Sequence, residues 1–225
     1  MKNTLILGVL LFLTQPNNIF AQVGRQNSLS ITIQGPNTKI EGVTPEDASS
    51  KTQHLRFTNV AYKKATVGNL KNSYSLRYNI FQNEMEFMKD NKNYFLTKIE
   101  GQIIHFIASD RKFTLLNMNG KLQYIEITYE GNTSLYTLQK VAFKKGKVAK
   151  TQFETAKKAK FSRNKDLYYI KIDNENLKKL PKGKKDFCAL FGDHSSAIKG
   201  YLKKEKIDRK KGTALIKVIK YYTSL

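Results

Sequence analysis

The chain has 225 residues, with 40 Lys and Arg against 18 Asp and Glu, a formal net charge of +22, a single cysteine and no tryptophan. One cysteine excludes an internal disulfide framework, so stability must come from a packed core to which Phe and Tyr contribute heavily. The three scattered histidines come with no cysteine pair and no calcium-type acidic loop, and there is no phosphate-cradling glycine loop, Gly-x-Ser-x-Gly elbow or dinucleotide fingerprint, so neither metal nor cofactor is expected.

Lys2 precedes Leu5 to Leu13, an uncharged apolar run. It is too short for a membrane span, which needs about 20 apolar residues, and it suits the apolar stretch of a secretory signal. Pro16 follows, and then Ile19-Phe20-Ala21-Gln22, where Ala21 is the small residue expected before a cleavage point. Residues 1–21 are therefore read as a signal peptide cleaved near Ala21, in preference to a buried N-terminal helix. The only cysteine, Cys188, is far from that point, so no lipid anchor is expected. Charges interrupt every later apolar stretch, which predicts a chain without a transmembrane segment, periplasmic or secreted.

Residues 22–54 are polar and expected to be partly ordered. Thr44 with Pro45 fits the start of a short helical turn, and Ser28 to Gln34 alternates like an edge strand. From residue 55 to 175 the period becomes two. Leu76 to Phe81, Glu84 to Met88, Tyr94 to Ile99, Ile103 to Ile107, Lys112 to Asn117, Leu122 to Tyr129, Ser134 to Phe143 and Leu167 to Asp173 are rich in aromatic and β-branched residues. Turn formers such as Asp90-Asn91, Glu100-Gly101, Asn119-Gly120 and Gly131-Asn132 separate them, the pattern of an antiparallel meander folded as a curved sheet, a sandwich or an open barrel.

Residues 176–225 change period again. Asp186 to Phe191 reads as a helix stopped by Gly192, Asp193 as the cap of a second helix with Ile198, Tyr201 and Leu202 on one face, and Asp208 as the cap of a third with Leu215, Val218, Ile219 and Tyr222 at helical spacing. The expected fold class is thus α+β, an antiparallel meander followed by a small, basic, amphipathic helical bundle. Between Lys144 and Lys220 there are 24 Lys and Arg against 8 Asp and Glu, so most of the excess charge lies in the last third.

The succession Leu76-Arg-Tyr-Asn-Ile, Glu84-Met-Glu-Phe, Tyr124-Ile-Glu, Leu135-Tyr136, Tyr168-Tyr169-Ile-Lys and the end Tyr201-Leu-Lys-Lys to Ile219-Lys-Tyr-Tyr-Thr-Ser-Leu225 resembles a group of secreted proteins of Bacteroidota. The likeness implies a Gram-negative host and an envelope or secreted location. It brings no catalytic residues with it.

The candidate chemistry is sparse. Glu84 and Glu86, two apart on a strand, put both carboxylates on one face with their Cβ atoms about 6 to 7 Å apart, a spacing that glycoside hydrolysis can use; an ordinary half-buried strand has the same pattern. Cys188 with Asp193 and His194 is the nearest approach to an activated nucleophile, although Phe187, Ala189 and Leu190 around the cysteine favour a buried thiol. His54 and His105 stand apart, and Asn132-Thr133-Ser134 matches a glycosylation acceptor of little weight in a bacterial chain. The strongest claim belongs to Lys203, Lys204, Lys206, Arg209, Lys210 and Lys211, which cluster at one helix junction and favour polyanions. The expected function is a non-enzymatic binding or structural role outside the cytoplasm, with an anionic glycan, lipopolysaccharide or another polyanion as ligand, or a protein partner paired on an edge strand. A glycan-acting hydrolase is the alternative.

Overall fold

The computed structural model describes residues 31–32, 48–149, 151, 153–173 and 175–225. The signal-peptide reading of residues 1–21 and the Thr44-Pro45 turn lie outside them. Among the described residues the main element is an 11-stranded antiparallel sheet curled into a half-barrel. Its first meander is β2 (Lys63–Val67), β3 (Ser73–Asn79), β4 (Glu84–Lys89) and β5 (Lys92–Leu96). The chain then returns to the free side of β2 and lays down β6 (Ile103–Phe106), β7 (Arg111–Met118), β8 (Lys121–Tyr129) and β9 (Thr133–Leu138). The sheet ends with β12 (Leu167–Ile172) and the two-residue β13 (Lys178–Lys179), and β1 (Ile31–Thr32) covers the opposite edge by pairing with β5. β1 falls inside the edge strand expected at Ser28 to Gln34.

Turn chemistry sets the hairpins. Asp90 and Asn91 both have positive φ between the paired Lys89 and Lys92, and Asn119 and Gly120 do the same between Met118 and Lys121. Both are the two-residue turns whose twist matches the strands. The expected single strand from Ser134 to Phe143 is instead divided. Gln139 is buried, donates to Glu126 Oε2 at 2.9 Å and accepts from Thr58 Oγ1 at 3.1 Å. The chain therefore leaves the main sheet after Leu138 and forms a separate hairpin of β10 (Val141–Lys144) and β11 (Lys160–Arg163). A short helix, α1 (Ser50–Gln53), is bonded to that hairpin through Ser49 N–H to Ala159 C=O and Phe161 N–H to Thr52 Oγ1.

Alternation along the strands puts Ala65, Val67, Leu76, Tyr78, Met85, Phe87, Ile104, Phe106, Phe113, Leu115 and Tyr124 on one face, where they form one core. The curl is visible in the contacts they make. Tyr78 on β3 and Phe113 on β7 are three strand positions apart, about 14 Å on a flat sheet, yet their ring centroids lie 4.8 Å apart. Curling leaves a gap, because β9 pairs with β8 only from Glu126 onwards. The peptide of Tyr124, buried and without a β9 partner, is completed by a side chain from the β3–β4 turn: Tyr124 N–H donates to Asn83 Oδ1 at 2.8 Å, and Asn83 Nδ2 donates to Tyr124 C=O at 2.8 Å and to the Tyr78 hydroxyl at 2.7 Å. Asn83 itself has φ of 56°, a conformation that asparagine tolerates better than most residues.

Three helices follow the sheet: α2 (Lys184–Ala189), α3 (Ser195–Lys204) and α4 (Gly212–Tyr222). They do not close a core of their own. Phe187, Cys188, Phe191, Ile198, Leu202, Leu215, Val218 and Ile219 share one cluster with Leu135 of β9 and Ile170 and Ile172 of β12. The helical bundle expected on or beside the sheet is not confirmed as a bundle; a few helices pack on the sheet, because the strand faces that turn apolar at β9 and β12 need a cover. The caps differ as well. Asp193 lies in a 3-10 turn before α3 and makes no capping bond, and α4 begins at Gly212 with Lys211 before it rather than after Asp208. Among the described residues no helix is long and apolar enough to cross a membrane.

Replacing Asn83 by Ala leaves the buried Tyr124 N–H without a partner and takes one bond each from the Tyr124 C=O and the Tyr78 hydroxyl, which keep only each other, a loss of about 3 kcal/mol. Thermal unfolding followed by circular dichroism should show a midpoint roughly 10 °C lower. A midpoint equal to the parent's would contradict the closing role of this side chain.

Candidate functional site

Glu84 and Glu86 do share one face of β4, and each already has a cation. Glu86, 4% exposed, accepts from Arg77 Nε at 2.8 Å and Nη2 at 2.6 Å on the neighbouring β3, and from Asn79 Nδ2 at 2.6 Å. The Arg77 guanidinium is stacked in turn on the rings of Phe57, 3.9 Å away, and Tyr62 at 4.6 Å. Glu84 is bridged by Lys98 at 2.8 Å. Burial pushes the Glu84 carboxyl above its ordinary range, against the pull of Lys98. Neither carboxylate lines any of the cavities described below. This arrangement ties strands together.

The other sequence candidates are similarly placed. Cys188 is buried in the helical core, while the His194 ring lies edge-on to Tyr222, with 5.6 Å between centroids. His105 bonds Asp110 at 2.7 Å on the surface, and His54 borders a small hollow with Arg111 and Arg163. Among the described residues no three His, Cys, Asp or Glu side chains gather as a metal site.

A concavity of about 620 Å³ lies where β12, β13, α2 and the α3–α4 connection meet. Its volume is in the range of small-ligand sites. The floor is apolar, made by Leu167, Leu180, Pro181, Phe187 and Ile207 with the ring of Tyr168. The rim carries Lys165, Lys179, Lys182, Arg209 and Lys210 against Asp166 and Asp208.

The local backbone explains how this rim is held. α3 ends in a left-handed residue, Lys206 with φ of 48°, so that Ile207 N–H reaches Leu202 C=O at 3.2 Å and Lys206 N–H reaches Lys203 C=O at 3.4 Å. This is a Schellman stop, with Ile207 folded back toward Leu202 and the core they share. Asp208 then closes the next turn, accepting from Lys210 N–H at 3.1 Å. Arg209 is a structural clamp. It donates to the carbonyls of Pro181 (3.3 Å), Lys182 (2.9 Å) and Gly183 (3.4 Å) and stands 4.9 Å over the Phe187 ring. The Tyr168 hydroxyl donates to Lys210 C=O at 3.3 Å, and Gly212 leaves room for that ring, since a Cβ there would lie 3.3 Å from it.

Of the six basic residues singled out in the sequence, Arg209 and Lys210 line this cleft. Lys203, Lys204, Lys206 and Lys211 are exposed and do not line it. Lys165, Lys179 and Lys182 were missed, because they come from the β11–β12 connection, β13 and the approach to α2, and only the fold brings them to the same rim. Lys140 is pushed below its ordinary range by burial and then by Lys179, and Asp166 is pushed up by burial despite Arg163. Elsewhere the cations of the half-barrel mouth are engaged: Arg111 is bidentate on Glu126 at 2.7 and 2.6 Å, and Arg77 is held by Glu86. Two smaller hollows, about 280 and 290 Å³, lie beside them.

Compared with protein-family models, characterised proteins and solved structures, the chain finds no match.

Because burial raises the Glu84 carboxyl, its ionised form opposes folding above that raised pKa, and the effect disappears below the ordinary value of 4.5. Glu84→Gln should thus be more stable than the parent near neutral pH, with the two converging as the pH falls below about 4. Chemical denaturation of both proteins across this range checks the sign; a variant less stable at neutral pH would show that the Lys98 bridge outweighs burial.

Proposed function

We propose that this chain is an exported, non-enzymatic binding protein that holds an anionic ligand with an apolar portion in the cleft between β12, β13 and the α3–α4 connection. One observation carries the reading: an apolar floor and a rim of lysines are combined in a single concavity of about 620 Å³. An apolar chain or ring gains by leaving water on the floor, at roughly 25 cal/mol per Å², while a phosphate or carboxylate is held by lysines that no carboxylate inside the cleft neutralises fully. The exposed Lys203, Lys204, Lys206 and Lys211 extend this positive field beyond the rim and attract larger polyanions through counterion release. Outside the cytoplasm of a Gram-negative cell, the phosphates of lipopolysaccharide and anionic glycans fit that chemistry. The periplasmic or secreted location rests on Leu5 to Leu13 and the Phe20-Ala21-Gln22 junction.

Calorimetric titration with dodecyl phosphate, inorganic phosphate and dodecyl maltoside separates the contributions. The alkyl phosphate should bind at least about tenfold more tightly than either single-feature probe, and Lys179→Glu with Lys182→Glu should remove that preference. Equal weak affinities for all three, unchanged by the substitutions, would overturn the reading. For export, the chain expressed with its own leader in a Gram-negative host should be recovered from the periplasm or medium with an N-terminus at or near Gln22; recovery in the cytoplasm starting at Met1 would contradict it.

A further inference from the structure

The β10–β11 hairpin is anchored at its base, and its tip extends away from the described sheet. Phe143 and Phe161 at the base pack on each other and on Phe81, with centroids 5.1 to 6.4 Å apart. Beyond the ladder, Lys147 and Lys157 exchange both backbone hydrogen bonds at 2.7 Å. Gly146 permits the close crossing beneath that bridge, since a Cβ there would stand 2.8 Å from Lys157 C=O. The arm is thus a built structure.

Its tip carries the two most exposed large apolar side chains of the described residues, Phe153 at 89% and Val148 at 82%. Around them stand Lys144, Lys145, Lys147, Lys157, Lys158 and Lys160, all exposed, with Glu154 as the only acidic residue from 144 to 160, bridged to Lys147 at 3.4 Å. At that exposure Phe153 adds nothing to the packing of the fold, and among the described residues no element covers it. Val148 and Phe153 lie beyond the Lys147–Lys157 bridge, and exposed lysines stand on both strands up to it. That order suits a lipid surface: the ring enters the boundary of the acyl chains while the ammonium groups stay among anionic headgroups.

We infer that the β10–β11 hairpin is a membrane-docking arm, which seats the protein on an anionic bilayer by inserting Phe153 and Val148 between lipids and pairing its lysines with headgroup phosphates. This surface is separate from the ligand cleft, and neither requires the other.

Because the chain has no tryptophan, Phe153→Trp creates a single fluorescent reporter at the tip, and full exposure of the position leaves the fold unaffected. With vesicles containing phosphatidylglycerol the emission should move to shorter wavelength and be quenched by lipids brominated on their acyl chains, and phosphatidylcholine vesicles should produce neither effect. In sedimentation of the otherwise unaltered chain with the same vesicles, Phe153→Ser should weaken binding about tenfold, and Lys157→Gln and Lys158→Gln about fivefold each. Lys89→Gln with Lys92→Gln, exposed at the β4–β5 turn and outside both surfaces, should change it least. An unshifted emission at saturating anionic vesicles would overturn the inference. So would a shift that depends on protein concentration without vesicles, which would assign the tip to contact between copies of the chain.

Discussion

A sheet that curls without closing has to satisfy the backbone groups where its neighbours run out. In this fold the gap falls at Tyr124, whose side chain is 0% exposed and whose peptide has no β9 partner. An unpaired peptide there would cost as much as several core methylenes contribute. One amide side chain, Asn83, takes the place of the missing strand by accepting from the N–H and donating to the C=O, and it also bonds the Tyr78 hydroxyl that reaches the same carbonyl. Burial pushes both tyrosine hydroxyls well above their ordinary range, so they stay neutral at any physiological pH. The Tyr78, Phe113 and Tyr124 rings can then pack across the curl, and the two meanders become one sheet with a common inner face.

The distribution of charge follows from a similar economy. The carboxylates nearest the sheet are spent on arginines: Glu86 on Arg77 and Glu126 on Arg111. These pairs order the strands, and by occupying the scarce acidic groups they leave most lysines without a counter-charge. The positive field is consequently a surface property, concentrated where the lysines outnumber everything else, at the cleft rim and on the β10–β11 arm. Glu86 is held by two arginine bonds and an asparagine bond, and Glu84 by Lys98, so both carboxylates serve to order neighbouring strands.

Much of the architecture was legible in the sequence, for reasons specific to particular residues. Period-two runs such as Leu76 to Phe81 and Lys112 to Asn117 mark strands because one face is buried, and Asp90-Asn91 and Asn119-Gly120 mark turns because both positions need positive φ. What could not be read was long-range. Lys63–Val67 is short and half polar, and it is a strand because β3 and β6 pair with it on both sides. Gln139 breaks a promising strand through contacts with Glu126 and Thr58, which are far away in the chain. In the C-terminal part the helical periodicity is real, but its apolar stripe faces β9 and β12 as well as neighbouring helices, which a local pattern does not distinguish. The cleft shows the same limit: Arg209 and Lys210 stood in an evident basic cluster, whereas Lys165, Lys179 and Lys182 became neighbours only on folding.

The central functional claim is that the apolar floor and the lysine rim act as one site. Amide chemical-shift mapping of the isotope-labelled chain during titration with dodecyl phosphate tests it most directly. Saturable shifts confined to Leu167–Tyr168, Leu180–Phe187 and Ile207–Lys211 are the expected result. Shifts spread over exposed lysines throughout the surface, with the floor residues unmoved, would contradict it and reduce the positive field to unspecific attraction.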